Sequence, residues 1–505
     1  MAKSSTNSFI TEIPLVVDSK QEKELLSRFQ AGRQLYNACL NEAVIRLELV
    51  RKSLAYQKAK NTPIGNKKER SNAFAEARKS CRYSEYDLHS YAALVAKNSK
   101  WIAEKLDAQS AQKLATRAFN ASERVMLGKS KRVRFKVLSR FRSVEGKTNK
   151  QGIRWTNNQL VWGKLKINAK IEADNPVIQH GLSASIKYVR ILWRELKGQR
   201  RWYAQLVNEG EPYQKPSNCV ADGLVGLDLN ISNIAFVGDK KAGLLPFAEN
   251  VPTYEREIKA LHLALQRSQR ANNPENFHPD FESKRGRKLV SKKGKHKKGN
   301  HKWIKSKQYQ KLAQKKRELE RRKAAYAQTQ NRKIVNDILR HGKHIKTENV
   351  SVKGWQKRYG KAISAKSPGF VQSELKRKAE IAGGSFTKFS TQKTALSQTH
   401  LDGTRIKKSL SQRVHQDITG VVMHRDLFSA FLSRHVNDED NLLLHLARNE
   451  WGRLEPILTE AWEEFQQSAN QVSASESRLC HSPSERISVE DRSISQIAIK
   501  GKKLI

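Results

Sequence analysis

The chain has 505 residues, enough for about two to four domains and a sizeable core. Its 96 Lys and Arg against 49 Asp and Glu leave a formal net charge of +47, which a compact protein sustains when a polyanion offsets the self-repulsion. No apolar run reaches the roughly 18 residues of a membrane span, and the opening MAKSSTNSFITEIPLVV lacks a signal-peptide core with a cleavage site. A soluble, intracellular chain bound to nucleic acid, with no membrane partner, is the expectation. Cys39, Cys81, Cys219 and Cys480 are far apart and none sits in a CxxC, which argues against a disulfide framework and a four-cysteine zinc site.

In chain order, residues 8–17 alternate as a short strand, and Pro14 predicts an edge position. Apolar residues at helical spacing follow over 19–60, as one long or two shorter helices, and again over 71–127 after a break at Pro63 and Gly65. From about 130 to 212 the alternation predicts strands, beginning with RVRFKVL, with turns at NNQ and KGQR. Trp, Tyr, Lys and Arg interleave there, as suits a folded RNA; Arg132 and Arg134 are candidate phosphate contacts. The alternative is that these aromatics pack the inner face of a barrel.

Residues 223–238 predict two buried strands joined by a tight turn at Asn230 to Asn233, and a helix at 252–272 follows. Residues 284–307 are basic, glycine-containing and too polar to bury a core, so a flexible arm is expected. Its Lys292, Lys293, Lys295, Lys297, Lys298 and Lys302 are candidate nucleic-acid contacts. A long helix at 308–341 leads to a strand at 344–351, a loop, a helix at 371–382 and the strand SFTKFST. Residues 391–420 read as polar and irregular, followed by helices at 424–436 and 440–469 and a Ser-rich disordered tail over 470–505.

Three acids stand where a charge is awkward. Asp228 lies inside the apolar strand GLVGLDLN, Glu348 ends the strand HIKTENVS, and Asp426 opens the helix HRDLFSAFLSRHV. Each has an ordinary structural reading, as turn residue, strand-end residue or helix N-terminal acid. Together, one carboxylate from each of strand, strand and helix is the arrangement of an RNase H-like site. There, two divalent ions about 4 Å apart clamp a scissile phosphate. Hard oxygen ligands suit Mg²⁺ or Mn²⁺.

The strings around these acids are more specific. GLDLN followed by a hairpin, TENVS after a long helix, and HRDLFSAFL resemble, in that order, the three RuvC motifs of the TnpB family of transposon-encoded, RNA-guided nucleases. WQKRYG at 355–360, SPGF at 367–370, LKRKAEIAGG at 375–384, and LSQTH followed by LSQR are similar to its cyanobacterial-type branch, so the resemblance runs from Phe9 to Leu432.

The resemblance implies a mixed α/β and α+β multidomain protein. A β-rich wedge domain (residues 1–18 and 129–215) would hold a helical recognition lobe at 19–128, followed by an RNase H-like (RuvC) core at 220–465. It implies Asp228, Glu348 and Asp426 as catalytic metal ligands for Mg²⁺ or Mn²⁺. It also implies a guide RNA from the transposon end, double-stranded target DNA, and a prokaryotic cytoplasm or nucleoid as the place of action. As in type V CRISPR effectors, base pairing would read the sequence while the protein reads backbone shape and a short adjacent motif.

The chain departs from the family at 391–420. Where the family carries the four cysteines of a zinc ribbon, this chain reads THLDGT and VHQDITGV. His400 and His415, with Asp402 and Asp417, are the remaining candidate ligands, and structural zinc is expected to be lost. The competing functions are a guided DNA binder with weak or no cleavage, a transposase that joins strands, and a generic basic RNA-binding protein.

Overall fold

The computed structural model describes residues 7–479, apart from 287, 410 and 411. The tail expected over 470–505 falls outside the described residues from 480 onward. Over 470–479 the last helix continues instead, so it ends ten residues later than its apolar pattern suggested. The chain divides after Tyr213 into two units. No described helix is long and apolar enough to cross a membrane.

The first unit opens with β1 (Ser8–Val16) and the helices α1 (Ser19–Lys52), α2 (Leu54–Asn61), α3 (Lys67–Ser80), α4 (Glu85–Asn98), α5 (Lys100–Lys105) and α6 (Ala108–Met126). Asp18 starts α1 with a capping box, its side chain accepting from Lys20 and Gln21 while Gln21 answers back to the Asp18 backbone. Ser53 ends α1 and caps α2, which resolves the 19–60 pattern into two helices. The strands are β2 (Ser143–Glu145), β3 (Ile153–Thr156), β4 (Gln159–Trp162), β5 (Leu165–Ala169), β6 (Ile186–Leu196) and β7 (Gln199–Glu209), with α7 (Pro176–Ser183) between β5 and β6.

The seven strands pair in the order β2-β6-β7-β1-β5-β4-β3. Pro14 is therefore not at a sheet edge. β1 pairs with β7 along Ser8 to Pro14 and meets β5 only at Leu15 and Val16, so the proline sits where the second neighbour begins. The two NNQ and KGQR turns are tight, with positive φ at Asn157, Asn158, Lys197 and Gly198. The expected strand RVRFKVL is absent. That stretch is irregular, and its backbone is held at Lys136 by two hydrogen bonds of 2.9 Å with the Asn37 side chain.

In the second unit, β8 (Leu224–Leu229), β9 (Asn233–Val237) and β10 (Ala242–Pro246) form an antiparallel run. The Asn230 N–H to Asn233 carbonyl bond of 3.0 Å closes the predicted turn. Then come α8 (Glu255–Asn272), the hairpin β11 (Phe281–Arg285) and β12 (Lys288–Lys292), α9 (Lys307–Leu339), β13 (His344–Glu348), α10 (Val352–Lys366), α11 (Pro368–Ile381), β14 (Ser385–Phe389) and α12 (Thr391–Thr394). A short pair β15 (Val414–Gln416) and β16 (Val422–His424) leads to α13 (Arg425–Arg434) and α14 (Leu444–Leu479).

The main sheet has the order β10-β9-β8-β13-β14, with β13 parallel to β8 and β14 parallel to β13. Alternation assigns its faces. Val225, Leu227, Leu229, Ile234, Phe236 and Ile345 pack under α9 and α11, while Ala235, Val237, Ala242 and Leu244 pack under α13 and α14. Gly226 and Asp228 therefore face α13.

A Cβ on Gly226 would lie 2.1 Å from the Ala430 carbonyl oxygen and 2.4 Å from the Ser433 hydroxyl. Gly226→Val is expected to destabilise the protein by about 1–3 kcal/mol through overpacking. Gly452→Ala in α14, where a Cβ meets nothing within 4 Å, is expected to stabilise by up to about 1 kcal/mol. Urea unfolding of the two variants checks both signs.

Candidate metal-dependent catalytic site

Asp228 enters the site because β8 is fixed on both sides. It pairs with Ala235 of β9, and the preceding residue, Leu227, pairs with Thr347 of β13. Glu348, next after Thr347, shares the face of Asp228 one strand away. Both side chains are half-buried.

The third acid arrives on α13, whose C-terminal end is bolted to the same sheet. The buried Arg434 donates to the Leu224 carbonyl at 2.7 Å and the Val237 carbonyl at 3.3 Å, and pairs with Asp239 at 2.5 Å. Lys346, in register with Gly226, donates from the other side to the carbonyls of Arg434 at 3.2 Å and Val436 at 2.6 Å. These contacts satisfy carbonyls at the helix C-terminus that the helix itself leaves free.

The lengths then match. From Arg434 back to Asp426 a helix advances about 12 Å, and from Leu224 to Asp228 a strand advances about 13 Å. With one end clamped at Leu224 and the middle seated on Gly226, α13 delivers Asp426 beside Asp228.

Asp426 is 1% exposed, and its Oδ2 has no hydrogen-bond partner among the described residues. The nearest cations are Arg413, whose guanidinium is 3.5 Å from Oδ2, and Arg425, 3.4 Å from Oδ1, both long for hydrogen bonds. The Asp426 N–H donates to Nδ1 of His424 at 3.3 Å, and burial holds that imidazole below its ordinary pKa, leaving a neutral acceptor.

The carboxylates repel one another. Burial raises the Asp228 pKa well above the ordinary value, the charges of Asp426 and then Glu348 raise it further, and Arg425 and Arg413 only partly offset this. Burial pushes Glu348 up to about 7, against one backbone hydrogen bond from Leu396 that favours its ionised form. An orphaned buried oxygen and carboxylates held above their ordinary range are what a missing cation leaves behind. The donor set of hard oxygens fits Mg²⁺ or Mn²⁺. Asp426 and Glu348 are each within electrostatic reach of Asp228. Among the described residues, though, no group of three or more His, Cys, Asp or Glu side chains stands in position to hold a metal ion.

The other candidates fall elsewhere. Arg132 and Arg134 are exposed on the irregular segment of the first unit. Trp155, Trp162, Trp193 and Trp202 are buried in that unit's core, so they are packing residues and cannot stack on bases. Lys292, Lys293, Lys295, Lys297, Lys298 and Lys302 are all exposed; Lys293 is also paired with Asp280 at 2.6 Å, and Lys292 donates to Ser283 at 2.9 Å. The stretch containing them is not the flexible arm its composition suggested, because β11 and β12 order its first half.

His400 and His415 come together with ring centroids 5.1 Å apart. His415 stacks on Phe428 at 4.0 Å, and its Nδ1 is in contact with Lys408. Nε2 of His415 stands 3.6 Å from Asp417. Burial, then the Lys408 charge, lowers the His415 pKa to about 4. Asp402 is turned outward, bonded to Thr404.

Arg413, Arg425, Lys346 and Arg434 were not readable from sequence. In a chain with 96 Lys and Arg, nothing in the letters separates a buried guanidinium from a solvated one.

No protein-family model matches the chain, and no curated protein matches it. Among solved structures it is similar to a Cas12f1–sgRNA–target DNA complex, with 11% identity and a TM-score of 0.42 over 87% of this chain and 100% of that one. A CRISPR-Cas12f ternary complex gives 11% identity and a TM-score of 0.26 over 84% and 83%. At these values neither likeness identifies an activity.

Because the Glu348 pKa is raised on folding, the folded state binds more protons than the unfolded one between about pH 4.5 and 7. Metal-free protein is therefore expected to lose stability as pH rises through that window. Glu348→Gln should flatten the slope, and Mg²⁺ should stabilise the wild type more at pH 8 than at pH 5. Thermal melts in EDTA and in Mg²⁺ check this; an unchanged slope in the Gln variant would contradict it.

Proposed function

We propose that this protein is an RNA-guided, metal-dependent DNA endonuclease of the TnpB kind, with a RuvC-type, RNase H-like second unit that hydrolyses phosphodiester bonds. The observation that carries the reading is the set of acids that β8, β13 and α13 bring to one sheet face, each raising the cost of ionising Asp228. The strand order supports it: three antiparallel strands, then two more joined parallel to the first, with helices on both faces. So do the order of the three sequence motifs and the net charge of +47. In the same reading the helices over 19–128 form a recognition lobe and the seven-stranded sheet a wedge that cradles the guide.

Asp228, Glu348 and Asp426 would hold Mg²⁺ or Mn²⁺. Such ions supply a hydroxide nucleophile at neutral pH and charge stabilisation of the leaving oxygen. The chain's own contribution is to fix and charge the acids. β8 and β13 hold Asp228 and Glu348 on one face, α13 brings Asp426 to them, and neutral His424 steadies the first turn of α13. Arg413 and Arg425 partly offset the acids' charge. Affinity for nucleic acid comes from the many lysines and arginines and, for target choice, from base pairing.

A second reading, a guided binder that cuts weakly, is favoured by one observation: no three of the described acidic or imidazole groups already stand at metal-holding distance.

The test is cleavage of plasmid DNA, in Mg²⁺, by protein carrying the RNA that co-purifies with it, once sequencing of that RNA has supplied a matching target. Asp228→Ala should lower cleavage by about a hundredfold or more, with Glu348→Ala and Asp426→Ala similar and not additive, because the three act as one unit. Binding of RNA and target should be unchanged. Asp222, 80% exposed at its side chain and paired with Lys343, is the acid that should tolerate Ala. Asp239 is not a usable control, since it anchors Arg434. A wild type that binds its matched target but never cuts establishes the second reading.

A further inference from the structure

The segment between α8 and α9 combines two properties that rarely go together: a tightly bonded base and an extremity that buries nothing. At the base, the buried Asn273 donates to the Ile304 carbonyl at 3.0 Å and accepts from the Ile304 N–H at 2.6 Å. The buried Asn276 donates to the Lys302 carbonyl at 2.9 Å. Arg270 lies over the Phe277 ring at 4.5 Å and donates to the Gly294 carbonyl at 2.7 Å, and Trp303 meets Phe277 edge-on at 5.7 Å. Asp280 accepts from Lys293 at 2.6 Å and from the Gly294 N–H at 3.0 Å. Gly294 is buried where the two arms cross; a Cβ there would lie 1.9 Å from the His278 carbonyl oxygen.

Beyond this stalk, β11 and β12 form a two-stranded ribbon that joins no larger sheet, and every residue of β12 is exposed. A lone two-stranded hairpin without a buried face is marginal in water. From 281 to 307 the chain has twelve Lys and Arg and one acid, Glu282. Register divides the ribbon's faces: Val290 lies with Lys288 and Lys292 on one, and Leu289 with Lys284 on the other. Leu289 is 67% exposed and Val290 39% exposed.

We propose that this ribbon docks in the major groove of B-form duplex DNA by the face that carries Val290, with Lys288 and Lys292 on the flanking phosphates and Val290 against thymine methyl groups. The groove, about 12 Å wide, admits a two-stranded ribbon. Five residues per strand span about 17 Å, enough to follow it over a few base pairs. The A-form RNA groove is too deep and narrow for such an element, and RNA lacks the thymine methyl. An aliphatic side chain held outward between two lysines, as Val290 is, has a use on that partner and none in water. The stalk supplies preorganisation, so that little order has to be gained on binding. The inference rests on the nucleic-acid side of the proposed function and is independent of cleavage.

The experiment uses the full chain with its co-purified RNA, in EDTA so that nothing is cut. Fluorescence anisotropy measures affinity for a labelled, unmatched DNA duplex and for an RNA duplex of equal length, across a salt series. Lys288→Gln with Lys292→Gln should reduce the magnitude of the DNA salt slope by about two and weaken DNA binding about tenfold at moderate salt. RNA duplex binding should change less than about twofold. Replacing thymine by uracil throughout the DNA should weaken the wild type and a Leu289→Ser variant, but should have no effect on a Val290→Ser variant. Guanine N7 should be protected from methylation in the wild type and the Leu289→Ser variant only.

Equal losses on RNA and DNA would overturn the proposal in favour of an RNA contact. An unchanged slope would show a merely solvated ribbon. Neither result touches the carboxylate reading, which stands or falls on cleavage by the Asp228 series.

Discussion

The second unit depends on how the C-terminal end of α13 is fixed to the sheet. Arg434 reaches the carbonyls of Leu224 and Val237 on two adjacent strands, and Lys346 closes on the last helix carbonyls from a third. Two buried or half-buried cations would be costly on an apolar face. They are tolerated because β8 offers Gly226 at the crossing, which lets the helix backbone approach closely enough for both to find carbonyl partners. Once the helix cannot slide, the matching rise of strand and helix over the next 12 Å or so leaves Asp426 no place except beside Asp228. The three acids are thus positioned from the opposite end of α13, by residues that do not touch them.

That construction explains why the acids remain unfavourable where they stand. The charges of Asp426 and Glu348 add to burial in raising the Asp228 pKa, and the two arginines nearby are too far for short hydrogen bonds. A structural network would have paired them. Arg434 with Asp239, and Lys346 with its carbonyls, show that this chain pairs buried charges when it needs only stability. The contrast within one helix, with short bonds at its C-terminal end and only long ion pairs at its N-terminal end, separates the part that holds the fold from the part that bears the buried acid.

Much of this was legible in the letters, for physical reasons. The strands β8 and β9 with their turn, and the helix carrying Asp426, announce themselves because burial on one or both faces forces a strong apolar pattern. The same logic failed where burial did not set the pattern. RVRFKVL alternates like a strand, yet its backbone is satisfied by Asn37, a partner about a hundred residues away that no local pattern encodes. Residues 352–366 read as loop because glycine and lysine dilute the apolar residues, and only Ile363 of α10 is buried. Pro14 suggested an edge, but β1 acquires its second neighbour only after the proline. At 391–420 the sequence offered His400, Asp402, His415 and Asp417 in place of the family's cysteines, but not Lys408. The structure puts His400, His415 and Lys408 in their neighbourhood, with the imidazole of His415 stacked on Phe428 of the helix that bears Asp426.

The basic stretch at 284–307 shows where composition misleads. Low hydrophobicity and dense charge normally mean that a segment cannot meet its ordering entropy by burying a core. Here no core is needed, because the order is imported. Asn273 and Asn276 sit in the stalk and hold the returning strand by its backbone at Ile304 and Lys302. A side-chain amide offers both donor and acceptor, so it can replace a neighbouring strand for one residue at a time. The ribbon is then extended by its two roots being held side by side, and its own residues are left free of any packing duty. This is the inverse of α13, where packing fixes the element and chemistry occupies its end. In both, the residues offered to the proposed partner are relieved of holding the fold, and those that hold it lie several residues away in sequence, invisible to any reading of the offered residues alone.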